Sequence, residues 1–221
     1  MAKIKRNYTP GKPSVTTIIG RHLGWKTQGL IGWAHKLGQE GRDLRERDEA
    51  AARGSCAHDL VAAHYAPEAH GDLSEWRTEQ IDEAKPNAER VIAEITRLGW
   101  DVIGVETAME NARYAGTLDL LVRDADGLLL IADLKTSRTA AGSAEWVVQI
   151  AAYARLHADT TGEVVTRGAV LHAPYGADLA VYPIDEAALD AGALAFGSLL
   201  SIHEVEHAIR VGARLTVGGA P

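Results

Sequence analysis

The stretch LLLIADLK, residues 128–135, decides the fold of this 221-residue chain. Five apolar residues lead directly into Asp133 and Lys135, and a run this apolar predicts a strand that is buried on both faces. Because side chains alternate along a strand, Asp133 and Lys135 point to the same face. Burying a carboxylate and an ammonium group is costly unless the two are paired or bind a ligand. The stretch therefore predicts either a buried ion pair or part of a functional site.

The preceding strand, GTLDLLV at residues 116–122, contains a second isolated acid, Asp119. An Asp-Gly dipeptide at 126–127 is typical of a hairpin turn, which would bring Asp119 beside Asp133. Two carboxylates at close range repel each other, and this repulsion raises one pKa. A divalent cation removes the repulsion, and hard oxygen ligands suit Mg²⁺ or Mn²⁺. Gly116 further predicts the close approach of another backbone, such as that of DNA.

The periodicity of apolar residues extends this hairpin into a complete element order. Ser14 or Thr16 is expected to cap a helix near the N-terminus. The predicted helices are 25–38, 42–65, one from Asp72 or Ser74 to about Gly99, 143–158 and 186–212; the predicted strands are 101–109, 114–123, 128–135, 164–173 and 178–184. The last helix is expected to bury Leu189, Leu194, Leu199, Leu200 and Ile209. This order predicts an α/β fold, bordering on α+β. Its mixed central sheet has three meandering strands, a crossover helix and two further strands, and is flanked by helices.

The composition excludes several protein classes. Hydrophobic residues make up 46% and charged residues 24% of the chain, as in ordinary globular proteins. The single Cys56 excludes a disulfide scaffold, a four-thiolate zinc site and a cysteine-ligated iron–sulphur cluster. No apolar run approaches the ~20 residues of a membrane span. The basic N-terminus is not followed by the apolar segment of a secretory signal, so we expect a cytoplasmic protein that does not bind membranes.

The charge is unevenly distributed along the chain. The formal net charge is −7, but residues 1–26 contain six cations and no acid, which leaves −13 on the rest. A basic segment on an acidic body is compatible with phosphate binding. The candidate DNA-binding residues in this arm are Lys3, Lys5, Arg6 and Lys12. A solvated tail is the alternative explanation.

Three further polar positions have a functional and a structural interpretation. Gln149 and Tyr153 are four residues apart and share a helix face, so they either satisfy each other in the core or face a phosphate. His58 lies on the helix 42–65, where a single histidine is more often structural than a ligand. Arg53 either contacts the DNA backbone or pairs with Glu49 on the helix surface, a pair contributing only ~0.3–0.5 kcal/mol.

Four short motifs occur in an order that resembles the PD-(D/E)XK nuclease superfamily, and within it the RecB-like exonucleases. They are R-G-x-x-x-H from Arg53 to His58, G-T-L-D at 116–119, D-L-K at 133–135 and Q-x-x-x-Y at 149–153. The resemblance covers about residues 50–185. Many CRISPR-associated relatives use four cysteines for an iron–sulphur cluster. This chain has one cysteine and is therefore more similar to clusterless, phage-type exonucleases.

The resemblance implies a single nuclease domain over residues 1–221 with a restriction-endonuclease-like core. Its expected parts are a basic arm and helix at 1–40, a helical part at 42–98 that includes His58, a catalytic core at 100–185 and a C-terminal helix at 186–212.

The resemblance also implies roles for individual residues. The expected ligands of one or two Mg²⁺ or Mn²⁺ ions are His58, Asp119, Asp133 and the backbone carbonyl of Leu134. Lys135 would orient or deprotonate the attacking water and stabilise the transition state. Gln149 and Tyr153 would position Lys135 or the phosphate. Glu106 is expected to hold a second ion through water, with an exposed strand acid as the alternative.

The function expected from these roles is that of a metal-dependent DNA exonuclease in phage-type recombination, repair or degradation. DNA would be the substrate, and a recombination protein is the further partner that this role allows. A structure-specific endonuclease such as a junction resolvase is one alternative, and a catalytically inactive nucleic-acid-binding module is another. The presence of Asp119, Asp133 and Lys135 disfavours the inactive module. The lack of a separate target-recognition domain disfavours a restriction enzyme.

Overall fold

The computed structural model describes residues 9–24, 31, 32, 35, 38, 39, 45–138 and 143–217. We number the helices and strands in chain order. The helices are α1 (Val15–His22), α2 (Arg45–Tyr65), α3 (Pro67–His70), α4 (Thr78–Arg97), α5 (Ser143–Thr161) and α6 (Glu186–Val217). The strands are β1 (Asp101–Glu110), β2 (Ala115–Arg123), β3 (Leu129–Lys135), β4 (Arg167–His172) and β5 (Ala180–Ile184).

The five strands form one mixed sheet in the order β1-β2-β3-β4-β5. Strands β1 to β3 form an antiparallel meander, while β4 is parallel to β3 and β5 is antiparallel to β4. A parallel pair needs a crossover, which α5 supplies between β3 and β4. The predicted fold class is therefore confirmed, including the meander, the crossover helix and the two further strands.

The predicted hairpin between β2 and β3 is present. Its turn is closed by the Asp124 N–H, which donates to the Leu128 carbonyl at 2.9 Å, and by the Gly127 N–H, which donates to the Asp124 carbonyl at 2.8 Å. Gly127 has a φ of +79°, a conformation that favours glycine. This turn fixes the register of β2 against β3, and through it the distance between their acidic residues.

Helices cover both faces of the sheet. Apolar residues of α1, α5 and α6 pack in one core cluster on one side, represented by Ile18, Ile150 and Phe196. Residues of α2 and α4 pack in a second cluster on the other side, represented by Val61 and Val91. Strand β3 contributes to both clusters and is buried from Leu130 to Leu134. The prediction that this strand is covered on both faces is confirmed.

Two details of the helices differ from or extend the sequence prediction. Ser14 caps α1, because its Oγ accepts the Thr17 N–H at 3.1 Å. In α6, Leu194 and Ile209 are 77% and 65% exposed, so their predicted burial is wrong. Helix α6 packs against α5 and the sheet through a narrower face that includes the predicted Leu189, Leu199 and Leu200. The predicted helix 25–38 lies mainly outside the described residues.

Across the ranges given above, no helix is both long and apolar enough to cross a membrane.

Candidate functional site

A cavity of about 220 Å³ lies where α1, α2 and α5 meet the first three strands. It brings together seven residues that the sequence singled out: His58, Glu106, Asp119, Asp133, Lys135, Gln149 and Tyr153. Four hydroxyl side chains to which the sequence analysis gave no role in the site also line it: Ser14, Thr16, Ser55 and Thr117. We call this space the catalytic cavity. Thr117 could have been found from strand alternation, because it shares a strand face with Asp119.

His58, Glu106 and Asp119 form a compact group of potential metal ligands. Each offers one ligand atom, and these three atoms lie within 4.8 Å of one another. The His58 Nδ1 atom, on α2, is 3.8 Å from Glu106 Oε1 and 3.4 Å from Asp119 Oδ2. On β1, the residues before and after Glu106 pair with Leu120 and Leu118 of β2. This register places Glu106 opposite Asp119. The antiparallel pairing of β1 with β2 therefore creates the carboxylate pair.

The backbone of Glu106 is unusual. Its φ is +42°, and among the described residues it is the one non-glycine residue with a positive φ. Such a conformation costs of order 1–3 kcal/mol and persists where the surrounding structure enforces it. Here it accompanies a side chain that shares the catalytic cavity with His58 and Asp119. The strain links Glu106 to the site and weakens the alternative of an exposed strand acid.

The electrostatics of this group show mutual perturbation. Burial opposes the charged imidazole, but the carboxylates of Asp119 and Glu106 outweigh burial and raise the pKa of His58 to about 9. Burial raises the pKa of Asp119, and the Glu106 carboxylate adds to that increase. The positive charge of His58 opposes this increase in the pKa of Asp119. Without a metal ion, the imidazolium thus partly neutralises the two carboxylates.

A second group adjoins the first at the end of β3. Asp133 is 1% exposed and forms an ion pair with the Lys135 ammonium group. The Gln149 amide connects both, because its Nε2 donates to Asp133 Oδ1 at 3.0 Å and its Oε1 accepts from Lys135 Nζ at 3.1 Å. The same Nε2 also donates to the Tyr153 hydroxyl at 3.3 Å. The Q-x-x-x-Y pair of α5 therefore contacts the D-x-K pair of β3 directly.

Burial dominates the protonation of this second group. It raises the pKa of Asp133 to about 6, even though the Lys135 ammonium opposes that increase. Burial would lower the pKa of Lys135, but the carboxylates of Asp133 and Asp119 hold it above its usual value. Lys135 is therefore an ammonium group at neutral pH. Burial also raises the pKa of Tyr153, so its phenol stays neutral.

Leu134 connects the two groups through its backbone. Its N–H donates to Asp119 Oδ2 at 2.8 Å, which fixes that carboxylate against β3. Leu134 also lines a smaller cavity beside His58, Glu106 and Asp119. The role of its carbonyl as a metal ligand stays a prediction. So does the role of Asp133 as a ligand, since the compact group within 4.8 Å consists of the other three side chains.

Gly116 permits close packing within the protein. A Cβ atom at this position would lie 2.7 Å from Tyr153 Cε1 and 3.2 Å from Val15 Cγ2. The space that the missing side chain leaves is therefore occupied by the Tyr153 ring and α1. The close contact holds Tyr153 over the catalytic cavity, and the approach of DNA to Gly116 stays a prediction.

The predicted DNA-binding residues have different environments. Arg53 Nη1 lies 3.6 Å from Glu83 Oε2, and its guanidinium is 5.1 Å from the centroid of the Tyr175 ring. Glu83 on α4 thus takes the place of Glu49, the suggested pairing partner. Lys12 Nζ donates to the Asn111 carbonyl at 2.5 Å. Lys3, Lys5 and Arg6 lie outside the described residues.

Comparison with known proteins identifies the family. A profile of the PD-(D/E)XK nuclease superfamily matches residues 32–193. Because this match covers most of the chain and includes every motif discussed above, the chain belongs to the PD-(D/E)XK nuclease superfamily. No curated protein matches significantly.

Several solved structures are similar to this chain at low identity. An exonuclease candidate from Eubacterium rectale is 15% identical, covers 100% of this chain and 89% of its own, and has a TM-score of 0.48. An alkaline exonuclease from Laribacter hongkongensis is 16% identical over 61% of this chain and 73% of its own, with a TM-score of 0.34. The structure of the same enzyme in complex with dAMP matches over 77% of this chain and 99% of its own, with a TM-score of 0.37. Likenesses of this size do not transfer an activity to this chain.

Proposed function

We propose that this protein is a metal-dependent deoxyribonuclease that removes nucleotides from DNA ends. The observation that supports it is the single cavity in which His58, Glu106 and Asp119 meet the Asp133–Lys135–Gln149 group. The exonuclease mode, and a role in phage-type recombination, repair or degradation, follow from the resemblance of the four motifs. Membership of the nuclease superfamily supports phosphodiester hydrolysis as the reaction class.

The residues present fit a divalent cation. Two carboxylates opposite each other on neighbouring strands repel, and a cation in place of the His58 proton would remove that repulsion. An imidazole with two carboxylates suits Mn²⁺ well and Mg²⁺ acceptably. His58, Glu106 and Asp119 would hold the ion, with Asp133 and the Leu134 carbonyl as further proposed ligands. When bound, the ion supplies a Lewis acid and lowers the pKa of water.

The second group has complementary roles in this proposal. Lys135 stays protonated, so it would stabilise negative charge that develops on the phosphate oxygens and orient the attacking water. Gln149 would fix the Lys135 ammonium in place through the hydrogen bond at 3.1 Å. Tyr153, whose phenol stays neutral, would act as a positioning residue for Gln149.

The test compares linear and closed circular DNA, each incubated with Mg²⁺, with Mn²⁺ or with EDTA. The proposal expects mononucleotides or short products from end-labelled linear DNA only when a divalent cation is present. Cleavage of closed circular DNA would instead assign the protein as an endonuclease, the junction-resolvase class included. Binding of DNA without any cleavage in either cation would assign an inactive binding module and overturn the proposal.

A further inference from the structure

A second cavity adjoins the catalytic cavity and has the opposite electrostatic character. It measures about 540 Å³, and its lining includes Arg53, Thr136, Arg138 and Tyr175. No acidic side chain is among the described residues that line it. The catalytic cavity, in contrast, contains Glu106, Asp119 and Asp133. The lining of the second cavity therefore favours an anionic ligand.

The two arginines of the second cavity are incompletely paired. Arg53 Nε is buried and has no hydrogen-bond partner among the described residues. Its nearest carboxylate, Glu83 Oε2, is 3.6 Å from Nη1 and belongs to a side chain that is 57% exposed. Arg138 is exposed and forms no hydrogen bond or ion pair with any residue the structure describes. Two cations that face one space without full compensation favour a phosphate, which guanidinium groups bind in bidentate fashion.

Residues that are close in the chain line the two cavities at two places. Along β3 and the following segment, Lys135 lines the catalytic cavity, Thr136 lines the second cavity, and their Cα atoms are about 3.8 Å apart. Along α2, Arg53 and Ser55 face different cavities on either side of Gly54. A Cβ atom on Gly54 would lie 2.6 Å from Thr136 Oγ1, so glycine allows this close contact.

We propose that the second cavity binds a phosphate group of the DNA strand whose neighbouring phosphate lies in the catalytic cavity. This proposal rests on the proposed function for the identity of the ligand. Arg53 and Arg138 hold the phosphate, and Tyr175 supports the Arg53 guanidinium from one face. Glu83 competes with the phosphate for Arg53. The same chemistry would accept either an internal phosphate or a terminal phosphate of the strand.

The test measures binding of a fluorescent single-stranded oligonucleotide to the full chain in EDTA, as a function of salt concentration. Arg53→Gln and Arg138→Gln should each weaken binding at least about tenfold, because each removes a charged hydrogen-bond donor. Each should also reduce the slope of log K against log salt by about 0.7, the value for one phosphate contact on a single strand. Arg123→Gln is the matched control, since Arg123 is exposed at the end of β2 and does not line either cavity.

Glu83→Gln provides a test of opposite sign. Removing the carboxylate that competes for Arg53 should tighten DNA binding, whereas a merely structural Arg53–Glu83 pair would give a weaker or unchanged affinity. Oligonucleotides with a 5′-phosphate, a 3′-phosphate or neither distinguish the sources of the ligand. An arginine effect that persists on strands with only internal phosphates assigns an internal phosphate, and one that needs a terminal phosphate assigns the strand end.

Because binding is measured without a divalent cation, the outcome is independent of cleavage. Wild-type affinity and wild-type salt slope in the Arg53→Gln, Arg138→Gln and doubly substituted proteins would overturn the second-cavity proposal while leaving the nuclease proposal intact. If the arginine substitutions reduce the slope of log K against log salt but the wild-type protein cleaves no DNA, the phosphate site is supported and only the nuclease proposal is overturned. Thermal unfolding of each variant checks that the fold is kept.

Discussion

The two neighbouring cavities differ in the charge that each concentrates. The catalytic cavity holds three carboxylates against one histidine and one lysine, while the second cavity holds two arginines and no described acid. In each cavity like charges repel, and in the catalytic cavity burial adds a further penalty for the carboxylates. The difference supports the two proposals, a cation in the first cavity and an anionic phosphate in the second. Breaking each cavity separately should therefore produce different defects.

The largest expected effect comes from Asp133 in the catalytic cavity. Asp133→Asn keeps the side-chain shape but removes the charge that pairs with Lys135. DNA cleavage should fall by at least about 10²–10³-fold, the scale of losing one preorganised electrostatic group. Turnover on end-labelled linear DNA measures this loss. Affinity for DNA in EDTA should change far less, because the phosphate contacts of the second cavity remain.

Asp126→Asn is the matched control for this substitution, since Asp126 lies in the exposed turn of the hairpin and has a side chain that is 74% exposed. Thermal unfolding of both variants checks the fold. If the Asp133→Asn protein cleaves DNA at the wild-type rate with Mn²⁺, the proposal that the catalytic cavity is the site of cleavage is contradicted.

The sequence predicted this cavity unevenly, for physical reasons. Asp133 and Lys135 were recognisable because a charge at the end of an apolar strand is costly and therefore conspicuous. The hairpin was recognisable because Asp-Gly specifies its turn. Glu106 was placed in a secondary role, because its position opposite Asp119 depends on the register of β1 against β2, which local sequence does not specify. Register is a property of the folded sheet.

The second cavity shows the same limit more clearly. Arg53 is recognisable because it begins a motif, whereas a single arginine after a strand, such as Arg138, has many explanations. The two residues line one cavity beside Gly54, where α2 approaches Thr136 closely. Exposure of Leu194 was missed for a related reason. The periodicity of a helix shows that an apolar stripe exists, while neighbouring elements determine which stripe is covered.

The next largest effect is metal-dependent stabilisation, which should depend on the catalytic cavity alone. A ligand that binds only the folded state at a hundredfold excess over its Kd stabilises it by about 2.7 kcal/mol. Mn²⁺ should therefore raise the Tm of the wild-type protein. His58→Gln and Glu106→Gln should each reduce this increase, because each removes one ligand atom of the compact group.

Arg138→Gln serves as the control in these melting experiments, because it changes the second cavity and should leave the Mn²⁺ response intact. An unreduced Mn²⁺ response in both His58→Gln and Glu106→Gln would show that the ion binds elsewhere.

A smaller effect should appear in the pH dependence of stability. The pKa of His58 rises from 6.5 to about 9 in the folded protein, so protonated His58 stabilises the fold. This contribution is complete below pH 6.5 and is lost as the pH rises through about 9. Urea unfolding in EDTA should therefore show wild-type stability decreasing over this interval, and His58→Gln should show a smaller decrease.

Asp133 does not obscure this measurement. Burial raises the pKa of Asp133 to about 6. Ionisation of Asp133 therefore lowers the stability of the fold as the pH rises towards 6, and this loss is largely complete above pH 6. Equal pH dependence of the wild type and His58→Gln between pH 6.5 and 9 would show that the two carboxylates do not perturb the imidazole.

The smallest expected effect comes from the wall that separates the cavities. In Gly54→Ala, the new Cβ would lie 2.6 Å from Thr136 Oγ1, so the Thr136 side chain, α2 or the segment after β3 must shift. Overpacking of this kind costs about 1–3 kcal/mol, whereas alanine in a helix interior gains ~1 kcal/mol over glycine. We expect a net destabilisation of about 1 kcal/mol, measured by urea unfolding. Thr136→Ala removes the clashing oxygen, so adding Gly54→Ala to it should stabilise the protein through helix propensity alone. If Gly54→Ala has the same effect with and without Thr136→Ala, the two residues are not in contact, and the division into two cavities loses its structural basis.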